Sequence, residues 1–217
     1  MKGVFARWKD AGYEPYFVCG DMPKHIEPGV TVLTVPMRRE ITPWLDARCI
    51  VSLWRMLRKI KPVMVDASTP KAGLLVTVAA WLARVPVRLY TLRGLPLETA
   101  RGFRAKAYHW SERLAAACAN HMICISASLR ESALAYGIMA EGKAEVVGSG
   151  SSNGVDTAYF DPRQINTASV DDLREQTGFT GDVRICGYIG RLNRDKGMAD
   201  LLQAWPLIRE REPRARL

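Results

Sequence analysis

Two periods of apolar residues alternate along this chain. Apolar runs of strand length occupy residues 13–19, 30–35, 62–66, 85–92, 121–125, 144–147 and 183–189. Between them, apolar residues fall three or four apart, which predicts helices over 4–11, 44–59, 72–83, 98–119, 126–136, 169–178 and 198–211. The helix 44–59 turns Ile50, Leu53, Trp54 and Leu57 to one side. Thr42-Pro43 should start it with a capping hydroxyl and a proline, and Lys61-Pro62 should stop it. Ser169-Val-Asp-Asp172 predicts a capping box, and Pro206 should bend or shorten the last helix. The run 183–189 predicts a buried strand through Val183, Ile185, Cys186, Tyr188 and Ile189.

Strands alternating with helices predict an α/β fold, a Rossmann-like parallel sheet with helices on both faces. Such domains usually begin with a strand, so a strand and its glycine loop are expected upstream of residue 4. Ligands of such sheets bind beyond the C-terminal ends of the strands. That geometry selects 68–71, 92–94, Ser126, 148–156 and 190–196. It makes Thr69, Lys71, Arg93 and Ser126 the candidate cleft residues, able to meet a phosphate or sugar hydroxyls. Gly190 ends a strand and precedes Arg191, Lys196 and a helix, an arrangement suited to an anion. Residues 148–154 are glycine and serine apart from Asn153, the mark of a linker or a functional loop.

Charge narrows the partners. The 31 Lys and Arg against 22 Asp and Glu give +9, an excess that favours phosphorylated small molecules or an anionic membrane surface. No zinc spacing, Arg/Gly-rich tail or aromatic ribonucleoprotein motif is present, so nucleic acid is not expected as a partner. Arg84, Arg88, Arg93, Arg101, Arg104 and Lys106 stand against Glu98 alone, with Phe103, Tyr108 and Trp110 nearby. This stretch is either a solvated face or a surface for an anionic bilayer. Cys19, Cys49, Cys118, Cys124 and Cys186 are odd in number and scattered, as expected of reduced core thiols in a cytoplasmic protein. Cations near residue 1 argue against a signal peptide. The longest apolar run, 74–83, is about half the roughly 20 residues of a spanning helix. The histidines lack metal-ligand spacing, and no hydrolase, zincin or P-loop motif occurs, so if the protein is an enzyme it is expected to work by positioning a charged leaving group and stabilising its negative charge.

Four stretches, taken in order, are more specific: V-D-A-S-T-P-K-A-G-L-L (65–75), V-P-V-R-L-Y-T-L-R-G-L-P (85–96), G-S-G-S-S-N-G-V-D-T (148–157) and G-Y-I-G-R-L-N-R-D-K-G (187–197). Together they resemble the family-4 glycosyltransferases of the GT-B fold, and most closely those that build bacterial capsules and exopolysaccharides. The resemblance implies an acceptor-side Rossmann-like domain over 1–152, lacking its first strand. It implies, over 153–217, the interdomain crossing and the first βα unit of a truncated donor-binding domain. Asn153, Gly154 and Asp156 match the crossing, while Gly190, Arg191 and Lys196 match the donor-binding loop. A nucleotide-sugar is implied as donor substrate and a lipid-linked saccharide as acceptor. Transfer is implied to retain anomeric configuration, with no cofactor and no metal, on the inner face of the cell membrane. Arg93 stands where many relatives carry histidine. The E-x7-E glutamate pair of the donor domain is absent, so this chain alone is expected to be inactive. A non-catalytic membrane-binding remnant and a sugar-nucleotide epimerase of the same fold are the alternatives.

Overall fold

The computed structural model describes residues 4–23, 25–38, 42–152, 154–179, 181–192 and 196–217. The chain divides into two compact units, Met1–Gly154 and Val155–Leu217.

The first unit opens with α1 (Val4–Asp10), β1 (Tyr16–Cys19) and β2 (Thr31–Thr34). Phe5 meets Phe17 edge-on at 5.9 Å, which seats α1 on β1. Then follow α2 (Pro43–Ile60), β3 (Met64–Ala67), α3 (Pro70–Ala83), β4 (Val87–Leu92), α4 (Phe103–Cys118), β5 (His121–Cys124), α5 (Ala127–Ala135) and β6 (Ala144–Glu145). Every strand pairing is parallel, as the alternating pattern requires. β1 pairs with β2, and β3, β4, β5 and β6 form a second sheet in that order; among the described residues nothing bridges β1 to β3. Both sheets nevertheless cover one apolar layer, since Val18, Val35 and Val65 all pack on Cys49, Leu53 and Leu57 of α2 and Leu75, Ala79 and Ala80 of α3. A second cluster joins Tyr90, Leu92, Met122 and Cys124 of the sheet to Ala115 and Ala116 of α4 and Ala133 of α5.

The second unit holds α6 (Thr167–Thr177), β7 (Arg184–Ile185), α7 (Met198–Arg211) and β8 (Ala215–Arg216), with β7 parallel to β8. Arg184 pairs with Glu212 at 2.9 Å, and Arg214 bridges Glu212 and Asp182, which clasps the two strands.

Several expectations are corrected here. The apolar run 183–189 is not a buried strand: Ile185 is exposed, Ile189 fully so, and β7 spans two residues with one neighbour. An apolar strand is buried only where sheet and helices surround it, and among the described residues β7 pairs with β8 alone. Cys186 is exposed and Cys19 half-buried, while Cys49, Cys118 and Cys124 are buried; all are free thiols. The helix expected over 98–119 breaks into a 3-10 turn (Pro96–Glu98) and α4, because Gly102 precedes α4 at φ +61, a conformation that ends a helix. α6 begins two residues before Ser169, with Asn166 accepting from the Ala168 N–H, so the expected box is interior. The Thr42 hydroxyl bonds the Asp46 carboxylate at 3.3 Å and caps no helix N–H. α7 runs on through Pro206 with only the carbonyl of Leu202 deprived of its helical donor.

Candidate functional site

Tight turns leave the C-terminal ends of the sheet strands, and there the candidate residues of the first unit collect. β3 delivers Asp66, whose carboxylate accepts from Thr91 Oγ1 of β4 at 2.9 Å and from Ser68 Oγ at 3.4 Å. Desolvation by the surrounding sheet pushes this carboxyl up, while the bonds from Thr91 and Ser68 and the charge of Arg93 oppose the shift. Arg93 leaves the end of β4 and donates from Nη1 to Ser152 Oγ at 2.9 Å. Ser126 follows β5, and its hydroxyl caps α5 by accepting from the Leu129 N–H at 3.2 Å. The glycine-serine loop lies directly on this turn. Gly150, at φ +80, comes so close to the Ile125 carbonyl that a side chain would stand 2.5 Å from it. Arg93, Ser126 and the loop 148–152 therefore share one rim, with Asp66 beside Arg93.

Thr69 and Lys71 both make contacts within the first unit. Thr69 caps α3, accepting from the Ala72 N–H at 3.3 Å. Lys71 reaches Asp46 of α2 at 2.5 Å, each side chain only 14% exposed, and so ties α3 to α2. Asp66, Thr91, Gly150 and Ser152 were not singled out from sequence. A single acid closing an apolar strand in V-D-A-S was a usable signal for Asp66; the others depend on contacts distant in sequence.

In the second unit Tyr188 organises the basic loop. Its hydroxyl lies 3.0 Å from the Arg191 carbonyl and 3.3 Å from the Lys196 carbonyl, which folds the two cation-bearing residues toward each other. A Cβ at Gly190 would meet that hydroxyl at 2.9 Å, so any larger residue there would have to displace the Tyr188 ring end and its two carbonyl contacts. Arg191 and Lys196 are exposed. Asp156 folds an Asx turn, accepting from the N–H groups of Ala158 and Tyr159 at 3.1 and 3.0 Å. The Gly154 N–H donates to Ser151 Oγ at 2.8 Å. Asn153 lies outside the described residues.

One rim thus offers a carboxylate, a guanidinium and hydroxyls, groups that fit a polyhydroxylated molecule, and the other unit offers a cation pair on a glycine turn. The chain matches the model of the "Glycosyl transferase 4-like domain" over residues 2–150. It belongs to that family.

Two curated relatives extend the match past the first unit. Over 174 residues the family member is 35% identical to the capsular polysaccharide biosynthesis glycosyltransferase CapM of Staphylococcus aureus, covering 80% of this chain and 44% of the relative. Over 176 residues it is 30% identical to the Escherichia coli UDP-Gal:alpha-D-GlcNAc-diphosphoundecaprenol alpha-1,3-galactosyltransferase, covering 80% and 43%. The chain therefore spans less than half the length of either. Among solved structures, Anabaena HepE in complex with UDP and glucose matches with a TM-score of 0.63 at 17% identity, over 86% of this chain and 46% of that one. The S. aureus MnaA–UDP structure matches with a TM-score of 0.54 at 13% identity, over 92% and 59%. At these identities the likeness carries the fold alone, and it is the α/β fold expected from sequence.

Proposed function

We propose that the protein is a glycosyltransferase moving a sugar from a nucleotide-diphosphate donor to a saccharide borne on a lipid diphosphate, in building a cell-surface polysaccharide. The family match over 2–150, with the two relatives named above, carries this reading. In such a transfer the leaving group is a nucleoside diphosphate, and the task is to stabilise its charge as the glycosidic bond breaks. Arg191 and Lys196, folded together by Tyr188, supply that charge. On the acceptor side, Asp66, Arg93, Ser126 and Ser152 bind sugar hydroxyls. Retention of configuration and independence of metal and cofactor belong to the same proposal.

So does attachment to the inner surface of the cell membrane. Among the described residues no helix is long and apolar enough to cross a membrane. However, Phe103, Trp110 and Leu114, 84%, 69% and 49% exposed, fall seven and eleven residues along α4. That spacing sets them in one stripe, away from the buried Glu112, Ala115 and Ala116. With the neighbouring Arg104, Lys106 and Arg113, the stripe suits an anionic lipid surface.

A chimera continuing after Leu217 with the remaining length of the staphylococcal relative tests the reading. It is expected to transfer label from a UDP-sugar to polyprenyl-diphosphate-linked GlcNAc, with or without EDTA, and the R191A/K196A pair to cut kcat/KM about a hundredfold. The unextended chain is expected to give little or no turnover. A folded chimera inert toward every nucleoside-diphosphate sugar, or one indifferent to loss of both cations, overturns the proposal.

A further inference from the structure

The basic stretch 84–106 resolves into two groups with different duties. Arg88 is structural: its side chain donates to the carbonyls of Cys118 and Val85, both at 2.7 Å, and so ties the start of β4 to the end of α4. Arg84 closes α3 in a left-handed cap, and Arg93 bonds Ser152 on the rim. Arg101, Arg104 and Lys106 are exposed and make no ion pair or side-chain hydrogen bond among the described residues. Two of these three border a cleft of about 470 Å³ lined by Pro96, Thr99, Ala100, Arg101, Arg104 and Tyr108.

This cleft is a product of local chain geometry. Pro96 starts the 3-10 turn four residues after β4 ends, and Gly102 then redirects the chain into α4. The break leaves a hollow where a continuous helix would have been solid. Tyr108 closes one wall and packs against the core below, so the wall is anchored. Among the described residues no carboxylate lines the hollow. Arg101 and Arg104 thus both border a space that has no acidic residue in its lining. Arg is suited to bidentate contact with phosphoryl oxygens, and the volume lies in the range of small-molecule sites.

We propose that this cleft seats the diphosphate of a lipid-borne acceptor, with Arg101 and Arg104 gripping the phosphoryl oxygens. The aromatic stripe of α4 explains why the ligand is lipid-borne rather than free. Phe103 lies between the two arginines in sequence and is 84% exposed, and Trp110 and Leu114 continue its line along α4. A helix resting that stripe in the interfacial layer holds the cleft at headgroup depth, where the diphosphate of a membrane-anchored chain lies. The inference rests on the lipid-linked acceptor reading above and names the residues that would hold the acceptor's charged joint.

The test titrates the chain with inorganic pyrophosphate, with farnesyl diphosphate, and with vesicles of phosphatidylcholine and phosphatidylglycerol. Arg101 and Arg104 are exposed, so the R101A/R104A variant retains the fold. It is expected to bind pyrophosphate and farnesyl diphosphate at least tenfold more weakly than the unmodified chain. F103A/W110A is expected to bind pyrophosphate within twofold of the unmodified chain and to lose vesicle binding at least tenfold. Equal diphosphate binding by R101A/R104A and the unmodified chain overturns the proposal. Displacement of pyrophosphate by phosphatidylglycerol vesicles but not by farnesyl diphosphate overturns it too, by assigning the cleft to ordinary lipid headgroups. These titrations use no donor, so the two readings fail separately. A transferring chimera whose acceptor KM ignores R101A/R104A sinks the cleft alone, whereas diphosphate binding without any transfer sinks the glycosyltransferase alone.

Discussion

Replacing Gly73 with valine is expected to destabilise the first unit by about 3–5 kcal/mol, enough to unfold most of it. Gly73 sits fully buried in α3 with the ring of Tyr90 pressed against its α-carbon, and an added Cβ would overlap ring atoms. The ring cannot step aside cheaply. Tyr90 is 1% exposed, and its hydroxyl donates to Glu112 Oε2 at 2.7 Å. Moving it breaks that bond inside the core, costing about 1–3 kcal/mol for the orphaned partner, on top of about 1–3 kcal/mol of overpacking. Alanine would gain about 1 kcal/mol of helix propensity and partly offset the clash, so G73A should be milder than G73V. Urea titrations followed by circular dichroism check the size of the effect. If the clash is the cause, G73A in a Tyr90→Leu background should recover stability that neither single change predicts. Additivity of the two would show that the ring is not what requires the glycine.

Periodicity carries the element order of the first unit: its strands, and helices such as α2 and α3, announce themselves by local pattern and by their prolines. Parallel pairing follows from alternation alone. What pattern could not supply was burial, which depends on neighbours. The run 183–189 is as apolar as β4, yet β4 lies between β3 and β5 while β7, among the described residues, borders β8 only. Cys186 was misjudged for the same reason, an apolar local context standing in for an environment.

The candidate site divides along a similar line. Gly190, Arg191 and Lys196 were legible as a glycine turn with cations at short offsets, and Tyr188, a few residues away, explains the turn. The rim of the first unit depends on contacts far apart in sequence. Arg93 and Ser152 are 59 positions apart, and Thr91 and Asp66 are 25 apart. Lys71 depends on distance in the same way. Its place at a helix start makes it a candidate cation, and Asp46, 25 residues earlier, is the acid that the fold sets beside it. Local sequence shows that a cation stands at a loop; the rest of the fold decides which acid it meets.

Stability should also fall as pH rises from about 4.5 to about 7, by roughly 3 kcal/mol from Glu112 alone. Glu112 is 1% exposed on α4, with Oε1 lacking a partner among the described residues and Oε2 accepting from Tyr90. Burial pushes its carboxyl up to about 7, the Tyr90 bond only partly opposing, while burial and the nearby Glu112 push the Tyr90 hydroxyl up as well. Below the unfolded value, near 4.5, the folded and unfolded chains both carry the proton and the contribution is fully present. Between about 4.5 and 7 the unfolded chain has released its proton while the folded chain retains it, so each step upward favours unfolding. Above about 7 both are ionised and the loss is complete. Glu112→Gln keeps an acceptor for Tyr90 and cannot titrate, so its stability should lack this slope. The difference in unfolding free energy between the unmodified chain and E112Q, followed from pH 4.5 to 8, isolates Glu112, because other titrating groups cancel. A difference that stays flat across that range would mean that Glu112 ionises at its ordinary value in the folded chain. A negative charge would then sit at the centre of the helix-sheet layer without cost, which 1% exposure and an unpartnered oxygen make untenable.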